Sequence, residues 1–559
     1  MDRKVDHDVV VIGAGFGGLY ALHRFRDDLG LDVRVFERGS DVGGTWYWNR
    51  YPGARCDVES MFYSYSFSPE LEQDWEWAER FPAQPEILAY AGHVADRFDL
   101  RRDISLETSV VSATYDPEYG TWLVVTDRGE QVRAAYLVTA VGCLSSSRVP
   151  DFPGMETFAG ETHHTGRWPH DGVDLTGRRV AVIGTGSSGV QAIPVIAERA
   201  AHVTVFQRTP HYTIPARNRP LRADEVAAIK ADYRRYRAES RIAPGGVPIF
   251  NPPVGSALDV AEQTRIEELD RRWEAGGSAV MMTFNDTALN REANEVLAAY
   301  VRDKIQQSVR DPRTATTLTP VDYPIGAKRI CFDTDYYDTY NRDNVTLVGL
   351  RETPIERITE HGVLVDGVEH AVDVIVFATG YDAMTGPLNA IDIRGADGQL
   401  LRDAWSAGPR TYLGLSTAGF PNLFMITGPG SPSVLVNMIV SIEQHVDWVC
   451  DLLTHCQEYD VVRVEAQLDA QDRWVDHVNE RAAHTLYLEA ASWYLGANVP
   501  GKPRVFMPYV GGMGPYRKTC DQVAADGYPG FTLTPRRGDG RPADAGSTPG
   551  TALPAQESL

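Results

Sequence analysis

The stretch Asp8-Val-Val-Val-Ile-Gly13-Ala-Gly15-Phe16-Gly-Gly18 decides the fold of the N-terminal part of this chain. Residues 8–12 are a short apolar run rich in β-branched side chains, which is typical of a buried parallel strand. The glycines then form the pattern G-x-G-x-x-G, and a helical pattern begins at Leu19. A second apolar run ends at Glu37. This order predicts the βαβ unit of a dinucleotide-binding domain.

Each glycine of this first loop has a function in such a unit. Gly13 permits the tight turn, Gly15 lets the backbone approach a pyrophosphate, and Gly18 allows the helix to pack closely on the strand. The N-terminus of the helix offers amide groups to the phosphates. Glu37 stands where a carboxylate accepts hydrogen bonds from ribose hydroxyls and disfavours a 2′-phosphate, so the loop suits FAD or NAD. A glycine turn of purely structural function is the alternative.

A second loop of the same kind, Gly184-Thr-Gly186-Ser-Ser-Gly189, follows the apolar run at residues 179–183. The next apolar run, at 202–206, leads to Arg208 and Thr209 and not to an acid. A guanidinium makes paired, charge-assisted hydrogen bonds to phosphate, which suits the 2′-phosphate of NADPH. A solvated surface arginine is the alternative. One acidic and one basic ribose site indicate two different dinucleotides, FAD and NADPH.

Length, charge and cysteine usage restrict the class of protein. A chain of 559 residues is too long for one hydrophobic core, so we expect two or three domains. The net charge of −22 argues against a general binder of nucleic acid or of anionic membranes. The six cysteines form no C-x-x-C pattern, which predicts reduced thiols and no metal site. The N-terminus lacks the apolar core of a signal peptide, and no apolar run reaches the roughly 18 residues that span a bilayer. We therefore expect a cytoplasmic protein that is monomeric or weakly oligomeric.

The order of the patterns predicts an α/β fold with two Rossmann-like dinucleotide-binding domains, for FAD and for NADP, and a helical insertion. The insertion is predicted because charged and apolar residues alternate there at helical spacing. A buried strand at residues 373–380 is predicted to lead back to the first domain, where residues 434–449 have the pattern of a helix. The predicted limits are 1–145 and 381–535 for the FAD-binding domain, 146–216 and 329–380 for the NADP-binding domain, 217–328 for the insertion and 536–559 for a disordered tail.

Two further segments combine residue types that suit neither a core nor a simple surface loop. Residues 43–60, here called the aromatic loop, place Trp46, Trp48 and Asp57 among glycines and arginines. A flat ring with polar edges needs such apolar walls and convergent polar groups, although an aromatic-rich packing loop is the alternative. Lys328-Arg329 taken alone is typical of a solvated surface pair.

The segment before the second loop, Phe158-Ala-Gly160-Glu-Thr-His-His164-Thr-Gly-Arg-Trp168-Pro169, has the pattern F-x-G-x-x-x-H-x-x-x-W-P and is here called the fingerprint. With the two loops it resembles the type I Baeyer–Villiger monooxygenases, and the pattern from about residue 8 to 531 looks closest to their phenylacetone and steroid monooxygenase branch. The resemblance implies an FAD enzyme that uses NADPH and oxygen to convert aryl, cyclic or bulky polycyclic ketones into esters or lactones through a flavin C4a-peroxide. It makes the fingerprint diagnostic, and we expect His164 to act structurally at a hinge between the domains.

The resemblance also implies the functions of individual residues. Arg329 is expected over the flavin as a fixed positive charge, Asp57 is expected to orient it, and both are predicted to be catalytic. Lys328 is expected to help bind the NADP phosphate, and residues 492–503, here called the Trp493 loop, to close over NADP and substrate. The complete predicted sets are Gly13, Gly15, Phe16, Gly18, Glu37, Thr45, Trp46, Asp57, Tyr63, Val110 and Met438 for FAD, Gly184, Thr185, Gly186, Ser187, Ser188, Gly189, Gln191, Arg208, Thr209, Lys328 and Trp493 for NADP, and Ser433, Val434 and Leu435 for the ketone.

Three other functions stay open at this point. A flavin-containing monooxygenase that oxidises amines or sulfides would use the same cofactors, but such enzymes usually lack the Trp-Pro ending of the fingerprint. A flavin disulfide reductase would need a redox pair of cysteines, and the sequence shows none at a suitable spacing. A protein that only senses dinucleotides would leave Arg329 and the aromatic loop without a purpose.

Overall fold

A computed structural model describes residues 5–536 of the chain as a mixed α/β structure. In chain order its strands are β1 His7–Ile12, β2 Val33–Phe36, β3 Ile104–Ser105, β4 Val110–Asp116, β5 Thr121–Thr126, β6 Gln131–Thr139, β7 Glu161–His164, β8 Arg179–Ile183, β9 His202–Gln207, β10 Thr213–Pro215, β11 Cys331–Asp333, β12 Val345–Gly349, β13 Ile355–Ile358, β14 Gly362–Val365, β15 Val368–Ala371, β16 Val374–Phe377, β17 Asp392–Arg394, β18 Leu423–Met425, β19 Val461–Ala466 and β20 Phe531–Pro535. Its α-helices are α1 Phe16–His23, α2 Thr45–Trp48, α3 Pro69–Asp74, α4 Gln84–Arg97, α5 Ser187–Ala197, α6 Ala223–Ala231, α7 Tyr233–Ile242, α8 Glu262–Ala275, α9 Arg291–Ser308, α10 Pro312–Leu318, α11 Tyr336–Thr339, α12 Gly386–Asn389, α13 Leu401–Ala404, α14 Met438–Glu458, α15 Leu468–Ala483 and α16 Met513–Ala525.

The first sheet has eight strands in the order β17-β4-β5-β6-β1-β2-β3, with β18 paired to β6. β1 lies parallel to both neighbours, with Val9 opposite Val33 on one side and Tyr136 on the other. Val9, Val10 and Val11 are completely buried because both faces of the sheet are covered, which is why this strand is continuously apolar. β17 and β18 come from the later part of the chain, so the chain does return to the first sheet.

The second sheet has five parallel strands in the order β12-β9-β8-β16-β7. Its edge strand β7 belongs to the fingerprint, and Phe377 at the end of β16 pairs with His164 at the end of β7. A Cβ on Gly160 would lie 2.6 Å from the ring of Phe158, so only glycine suits the entry to this strand. The fingerprint is therefore a structural part of the second dinucleotide fold.

Helices α6 to α10 form an insertion between β10 and β11. Helix α9 begins after Asn290, whose side chain accepts hydrogen bonds from the amides of Glu292 and Ala293 and so caps the helix. Arg272 of α8 is 1% exposed and donates to the carbonyl oxygens of Pro252 and Met282, at 2.7 and 2.9 Å. The prediction of an α/β fold with two dinucleotide-binding units and a helical insertion is confirmed.

The structure corrects the start of one predicted helix. The pattern at residues 434–449 predicted that a helix begins near Val434, but α14 begins at Met438. The Asn437 side chain accepts a hydrogen bond from the amide of Ile439 at 3.2 Å and so caps the helix there. The domain limits stay predictions, and the predicted tail beyond residue 536 lies outside the described residues. From residue 5 to residue 536, no helix is both long and apolar enough to cross a membrane.

Candidate active site

One cavity of about 1340 Å³ lies between the two glycine-rich loops. Its walls include the carboxyl ends of β1 and β8, which is where ligands bind in sheets of this type. The aromatic loop and the segments around residues 378–381 and 426–438 form further walls. Sites for single small ligands have volumes of about 300–1,000 Å³, so this cavity has room for more than one ligand.

The two glycine loops have the same backbone geometry. Gly13 has a φ of +103° and Gly184 a φ of +109°, which side chains rarely tolerate. A Cβ on Gly13 would lie 2.6 Å from the carbonyl oxygen of Ala140, and one on Gly184 would lie 2.5 Å from that of Ala378. In both loops a Cβ on the third glycine would overlap the carbonyl of the first. Both loops therefore bring the helix and its amides as close to the strand as a phosphate-binding turn requires.

Glu37 holds the first loop in place. Its carboxylate accepts hydrogen bonds from the amides of Ala14 and Gly39, at 2.8 and 2.7 Å, and the side chain is 5% exposed. A carboxylate has about four acceptor positions, so the group retains acceptors for a ligand in the cavity that it lines. The position is suited to ribose hydroxyls, as the sequence predicted.

Arg329 and Asp57 form an ion pair that faces the cavity. Nε and Nη2 of Arg329 donate to Oδ2 of Asp57 at 3.1 and 3.0 Å, and Nη1 donates to the carbonyl oxygen of Val434 at 3.0 Å. Burial disfavours the charge of Arg329, but Asp57, Tyr494 and Cys56 together outweigh this effect and raise the pKa of the guanidinium. Burial raises the pKa of Asp57, and Arg329 opposes that rise. The result is a fixed cation that three hydrogen bonds hold at the cavity wall.

Two cations without a carboxylate partner lie beside the second loop. Arg208 and Lys328 both line the cavity, and within residues 5–536 neither forms an ion pair. Burial lowers the pKa of Lys328, and repulsion by Arg208 lowers it further. The Lys328 ammonium lies 4.5 Å from the ring centroid of Tyr323, and Thr185 donates to the carbonyl oxygen of Thr209 at 3.2 Å. Bringing a dianion between the two cations would relieve their repulsion.

Gln191 of α5 connects the second loop with the aromatic loop. Its Oε1 accepts from the Tyr51 hydroxyl at 2.8 Å and from the Arg55 amide at 3.3 Å, and its Nε2 donates to the Arg55 carbonyl oxygen at 3.1 Å. A Cβ on Gly53, whose φ is +81°, would overlap the carbonyl oxygen of Gln191. The predicted NADP ligand Gln191 therefore also holds the aromatic loop against the second dinucleotide fold.

The Trp493 loop is attached to the segment that follows β16. Lys502 donates to Oδ1 of Asp382 at 2.5 Å and to the next carbonyl oxygen at 2.7 Å. Asn498 donates to the carbonyl oxygen of Tyr381 at 2.7 Å, and Arg148 donates to that of Asn498 at 2.7 Å. Sequence reasoning missed these four partners of the loop, because no local pattern marks residues that meet only through the fold.

Most residues of the predicted sets line this one cavity. For FAD they are Gly13, Gly15, Phe16, Glu37, Thr45, Trp46, Asp57, Tyr63, Val110 and Met438; for NADP they are Gly184, Thr185, Gly186, Ser187, Ser188, Gln191, Arg208, Thr209, Lys328 and Trp493; Arg329 and Val434 are lining residues as well. The residues that do not line it are Gly18, Gly189, Ser433, Leu435, Phe158, Gly160, His164, Trp168 and Pro169. Gly18 and Gly189 act through the packing of helix on strand, as predicted for the third glycine.

The structure places Ser433 and Leu435 outside the lining of the cavity, and their contact with the ketone stays a prediction. The Ser433 side chain is completely buried, and its hydroxyl lies 3.1 Å from Sγ of Cys143. Leu435 packs against an apolar cluster that contains Cys143 and Val434, two residues that themselves line the cavity. Of the three predicted substrate residues, Val434 alone lines the cavity, because adjacent residues of this short turn point in different directions.

The fingerprint reaches the cavity wall at Gly166 and Arg167, and its five diagnostic residues lie beside the cavity. Nδ1 of His164 accepts from the amide of Gly166 at 2.9 Å, and burial lowers the pKa of His164 to about 4. The ring edge of His164 faces Tyr381, with centroids 6.0 Å apart. Trp168 is 4% exposed and packs in the core of the second sheet. The fingerprint therefore packs against the segment that connects the two dinucleotide folds.

Fold and site together define a class: an oxidoreductase in which two dinucleotide-binding folds open into one cavity beside a clamped arginine. The flavin-binding monooxygenase-like family matches residues 6–218. A Baeyer–Villiger monooxygenase of Pseudooceanicola batsensis is 44% identical over 94% of this chain and 95% of its own length. A phenazine N-monooxygenase of Lysobacter antibioticus is 43% identical over 95% of this chain and 97% of its own length. A solved structure of an oxidised steroid monooxygenase bound to NADP has 53% identity and a TM-score of 0.90, and covers 94% of this chain and 99% of that chain.

The chain belongs to the Baeyer–Villiger monooxygenases. The resemblance inferred from the fingerprint and the two glycine loops is thereby confirmed.

Proposed function

We propose that this protein uses FAD, NADPH and oxygen to convert ketones into esters or lactones. The observation that carries the proposal is the ion pair of Arg329 and Asp57 at the wall of a cavity that both glycine loops enter. A fixed cation at that position suits a reaction in which negative charge develops on a carbonyl oxygen. Family membership supports the same reaction.

The residues at each end of the cavity fit the two cofactors. The first loop, Glu37 and the aromatic loop would hold FAD, because they provide amides for a pyrophosphate, acceptors for a ribose and apolar walls for a flat ring. The second loop with Arg208 and Lys328 would hold NADPH, since two cations that form no ion pair within residues 5–536 suit its 2′-phosphate. When bound, these cofactors supply the hydride and the activation of oxygen.

Arg329 has two tasks in this proposal. A guanidinium stays protonated at every working pH, so it offers a constant positive charge to the carbonyl oxygen of the ketone as that atom becomes negative. Asp57 and the Val434 carbonyl take three of its hydrogen bonds, which fixes the plane of the group before substrate arrives. Such preorganisation avoids reorientation during the reaction and is typically worth about 100- to 1,000-fold in turnover.

The Trp493 loop would exclude water from the reacting atoms. Trp493 lines the cavity, and its loop is anchored through Lys502 and Asn498 to the segment after β16. Expelling water strengthens the electrostatic effect of Arg329 and protects reactive groups from hydrolysis. The loop thus connects NADPH binding with closure of the ketone site.

We propose aryl, cyclic or bulky polycyclic ketones as the substrate class. The similarity to a steroid monooxygenase and the apolar residues Leu144, Val434 and Trp493 at the cavity wall support this class. The cytoplasmic location and the monomeric or weakly oligomeric state remain predictions from the sequence.

Oxidation of an aromatic nitrogen or of a sulfide is the second candidate function. The phenazine N-monooxygenase with 43% identity is the observation that favours it. Such a reaction would use the same two cofactors, and it would not need a cation that stabilises a carbonyl oxyanion. Replacing Arg329 therefore separates the two functions, because ketone oxidation should suffer and heteroatom oxidation should not.

The test is oxygen-dependent NADPH consumption by the purified protein, with mass spectrometry of the products. The panel should contain cyclohexanone, phenylacetone, a 20-ketosteroid, an aryl sulfide and phenazine. Ketone products one oxygen heavier that hydrolyse to an alcohol and an acid are expected. Consumption of NADPH with only heteroatom oxides, or with only hydrogen peroxide, would contradict the proposed reaction.

A further inference from the structure

A buried pair of side chains, His445 of α14 and Tyr516 of α16, lies behind the cavity. Both side chains are completely buried, and their ring centroids are 5.6 Å apart. Neither residue lines the cavity, and the proposed reaction assigns neither a function. Polar groups buried this deeply are retained in a core only where they are paired, so their partners show what they hold in place.

The hydrogen bonds of the pair determine the position of every proton. The Tyr516 hydroxyl donates its one proton to the carbonyl oxygen of Leu413 at 2.6 Å. The 3.0 Å contact between Tyr516 and Nε2 of His445 is therefore donated by the histidine. Nδ1 of His445 then carries a lone pair, which accepts the amide of Thr427 at 2.8 Å. Burial lowers the pKa of His445 to about 3, so this neutral form persists.

The two backbone groups that the pair binds belong to strained turns. Leu413 has a φ of +58° and Thr427 a φ of +59°, in a region that residues other than glycine rarely adopt. The turns touch each other, because a Cβ on Gly414 would lie 2.5 Å from the amide nitrogen of Ser431. Strained conformations of this kind persist only where the surroundings fix them. Tyr516 holds the Leu413 turn with one hydrogen bond, and His445 holds the Thr427 turn with another.

The second of these turns leads to the active site. The carbonyl oxygen of Thr427 accepts hydrogen bonds from Sγ of Cys143 at 3.3 Å and from the Ser433 hydroxyl at 3.4 Å. Ser433 is itself strained, with a φ of +42°. The next residue, Val434, offers the carbonyl that accepts Nη1 of Arg329 at 3.0 Å. Hydrogen bonds and short backbone segments therefore connect the buried pair to the guanidinium.

We propose that His445 is a positioning residue, which together with Tyr516 clamps the Thr427 turn and thereby places the Val434 carbonyl that holds Arg329. Thr427 and Cys143 also line the cavity, so the clamp fixes a wall of the cofactor site as well. The proposal rests on the proposed function in one respect, since it takes Arg329 to act on the ketone and the wall to face the flavin.

Two substitutions of His445 separate its two hydrogen bonds. In His445→Asn the amide oxygen can occupy the position of Nδ1 and accept from Thr427, whereas His445→Gln places a donor near Nε2 and leaves Thr427 without an acceptor. Tyr516→Phe removes one oxygen atom and releases the Leu413 turn. We expect the Gln and Phe variants to bind FAD but to lose about 10- to 100-fold in kcat with the ketone, because a misplacement of about 1 Å has this effect. We also expect these two variants to show a shifted visible flavin band and to form more hydrogen peroxide per NADPH consumed. The Asn variant should recover most of the wild-type spectrum and coupling.

Tyr509→Phe is the matched control. Tyr509 is 1% exposed and its ring lies 5.8 Å from that of Tyr516, but its hydroxyl binds neither turn. We expect this variant to keep the wild-type spectrum and coupling.

Equal losses of kcat in the Asn and Gln variants would overturn the proposal, since they would indicate a packing function only. A wild-type spectrum and wild-type coupling in the Gln variant would also overturn it. If the Gln variant does not fold, Tyr516→Phe provides the test in its place. If neither variant folds, the pair is needed for folding and the proposal is overturned. Failure of the proposed function would appear separately, as wild-type protein that oxidises no ketone of the panel.

Discussion

Replacing Gly53 by alanine tests whether the aromatic loop must pack directly on α5. Its φ of +81° costs a residue with a Cβ about 1–2 kcal/mol. The new Cβ would also overlap the carbonyl oxygen of Gln191 and lie 3.1 Å from Cγ2 of Val195, so the loop must move away from the helix by about 1 Å. That movement would break most of the hydrogen bonds of Gln191 to Tyr51 and Arg55, which are now 2.8–3.3 Å long and worth about 1 kcal/mol each. Together, the backbone strain and the lost hydrogen bonds should destabilise the packing of the aromatic loop on α5 by about 3–5 kcal/mol.

Hydride transfer should be the step that this movement affects. Because FAD and NADPH would bind on opposite sides of this contact, a displacement of about 1 Å should slow flavin reduction by NADPH roughly 100-fold. Stopped-flow absorbance measures that rate directly. Reduction by dithionite needs no second binding site and should be unchanged, which shows that FAD is still bound.

Gly30→Ala is the control for the backbone contribution alone. Gly30 has a φ of +66°, and a Cβ there would have no neighbour within 4 Å. This variant should lose only the conformational part of the stability and should reduce its flavin at the wild-type rate. If Gly53→Ala is reduced as fast as Gly30→Ala, the contact with α5 does not align the cofactors and the reasoning is refuted.

Four further predictions concern the cavity and the fingerprint. Arg329→Lys cannot keep all three hydrogen bonds of the guanidinium, so ester formation should fall at least about 100-fold while FAD stays bound; near-normal ester yield would contradict the assigned function. Arg208→Ala should raise the KM for NADPH at least about tenfold and leave that for NADH unchanged, because the remaining cation, Lys328, lacks the guanidinium fork; equal effects on both nucleotides would exclude a 2′-phosphate contact. Lys502→Met should release the Trp493 loop and increase the hydrogen peroxide formed per NADPH, and unchanged coupling would show that the anchor is dispensable. Burial lowers the pKa of His164 to about 4 from 6.5, so the unfolded chain binds a proton that the folded protein does not, and stability is lost as the pH falls from 6.5 towards 4. Urea unfolding at pH 7 and pH 5 should show a smaller decrease for His164→Gln, and an identical decrease would mean that this histidine does not contribute.

The parts of the fold that the sequence predicts are those set by local spacing. Gly13 and Gly184 follow apolar runs directly, and each needs a positive φ that glycine supplies, so both turns can be located without the structure. Glu37 and Arg208 directly follow the second strand of each unit, so their opposite charges distinguish the two ribose sites. These inferences use contacts between residues close in the chain, whose geometry follows from secondary structure alone.

The remaining features depend on contacts that no local spacing encodes. The hydrogen bond between Arg148 and Asn498 joins residues 350 positions apart. The family resemblance implied that Ser433 lies at the ketone, but at a φ of +42° its hydroxyl is buried beside Cys143. Backbone strain of this kind is decided by packing, so a sequence pattern cannot give the direction of such a side chain.

The fingerprint touches the cavity through Gly166 and Arg167, whereas its diagnostic residues lie in the packing around it. His164 ends the edge strand of the second sheet beside Phe377, so the fingerprint lies next to the segment that leads back to the first sheet. A Cβ on Gly166 would lie 2.6 Å from the ring of Tyr381, and the Tyr381 hydroxyl donates to Asn49 of the aromatic loop. This contact therefore joins the second sheet to the aromatic loop, in addition to the hydrogen bonds of Gln191. We expect the fingerprint to act structurally between the two dinucleotide folds, so a substitution at Gly166 should slow flavin reduction by NADPH while Arg329 and Asp57 keep their hydrogen bonds.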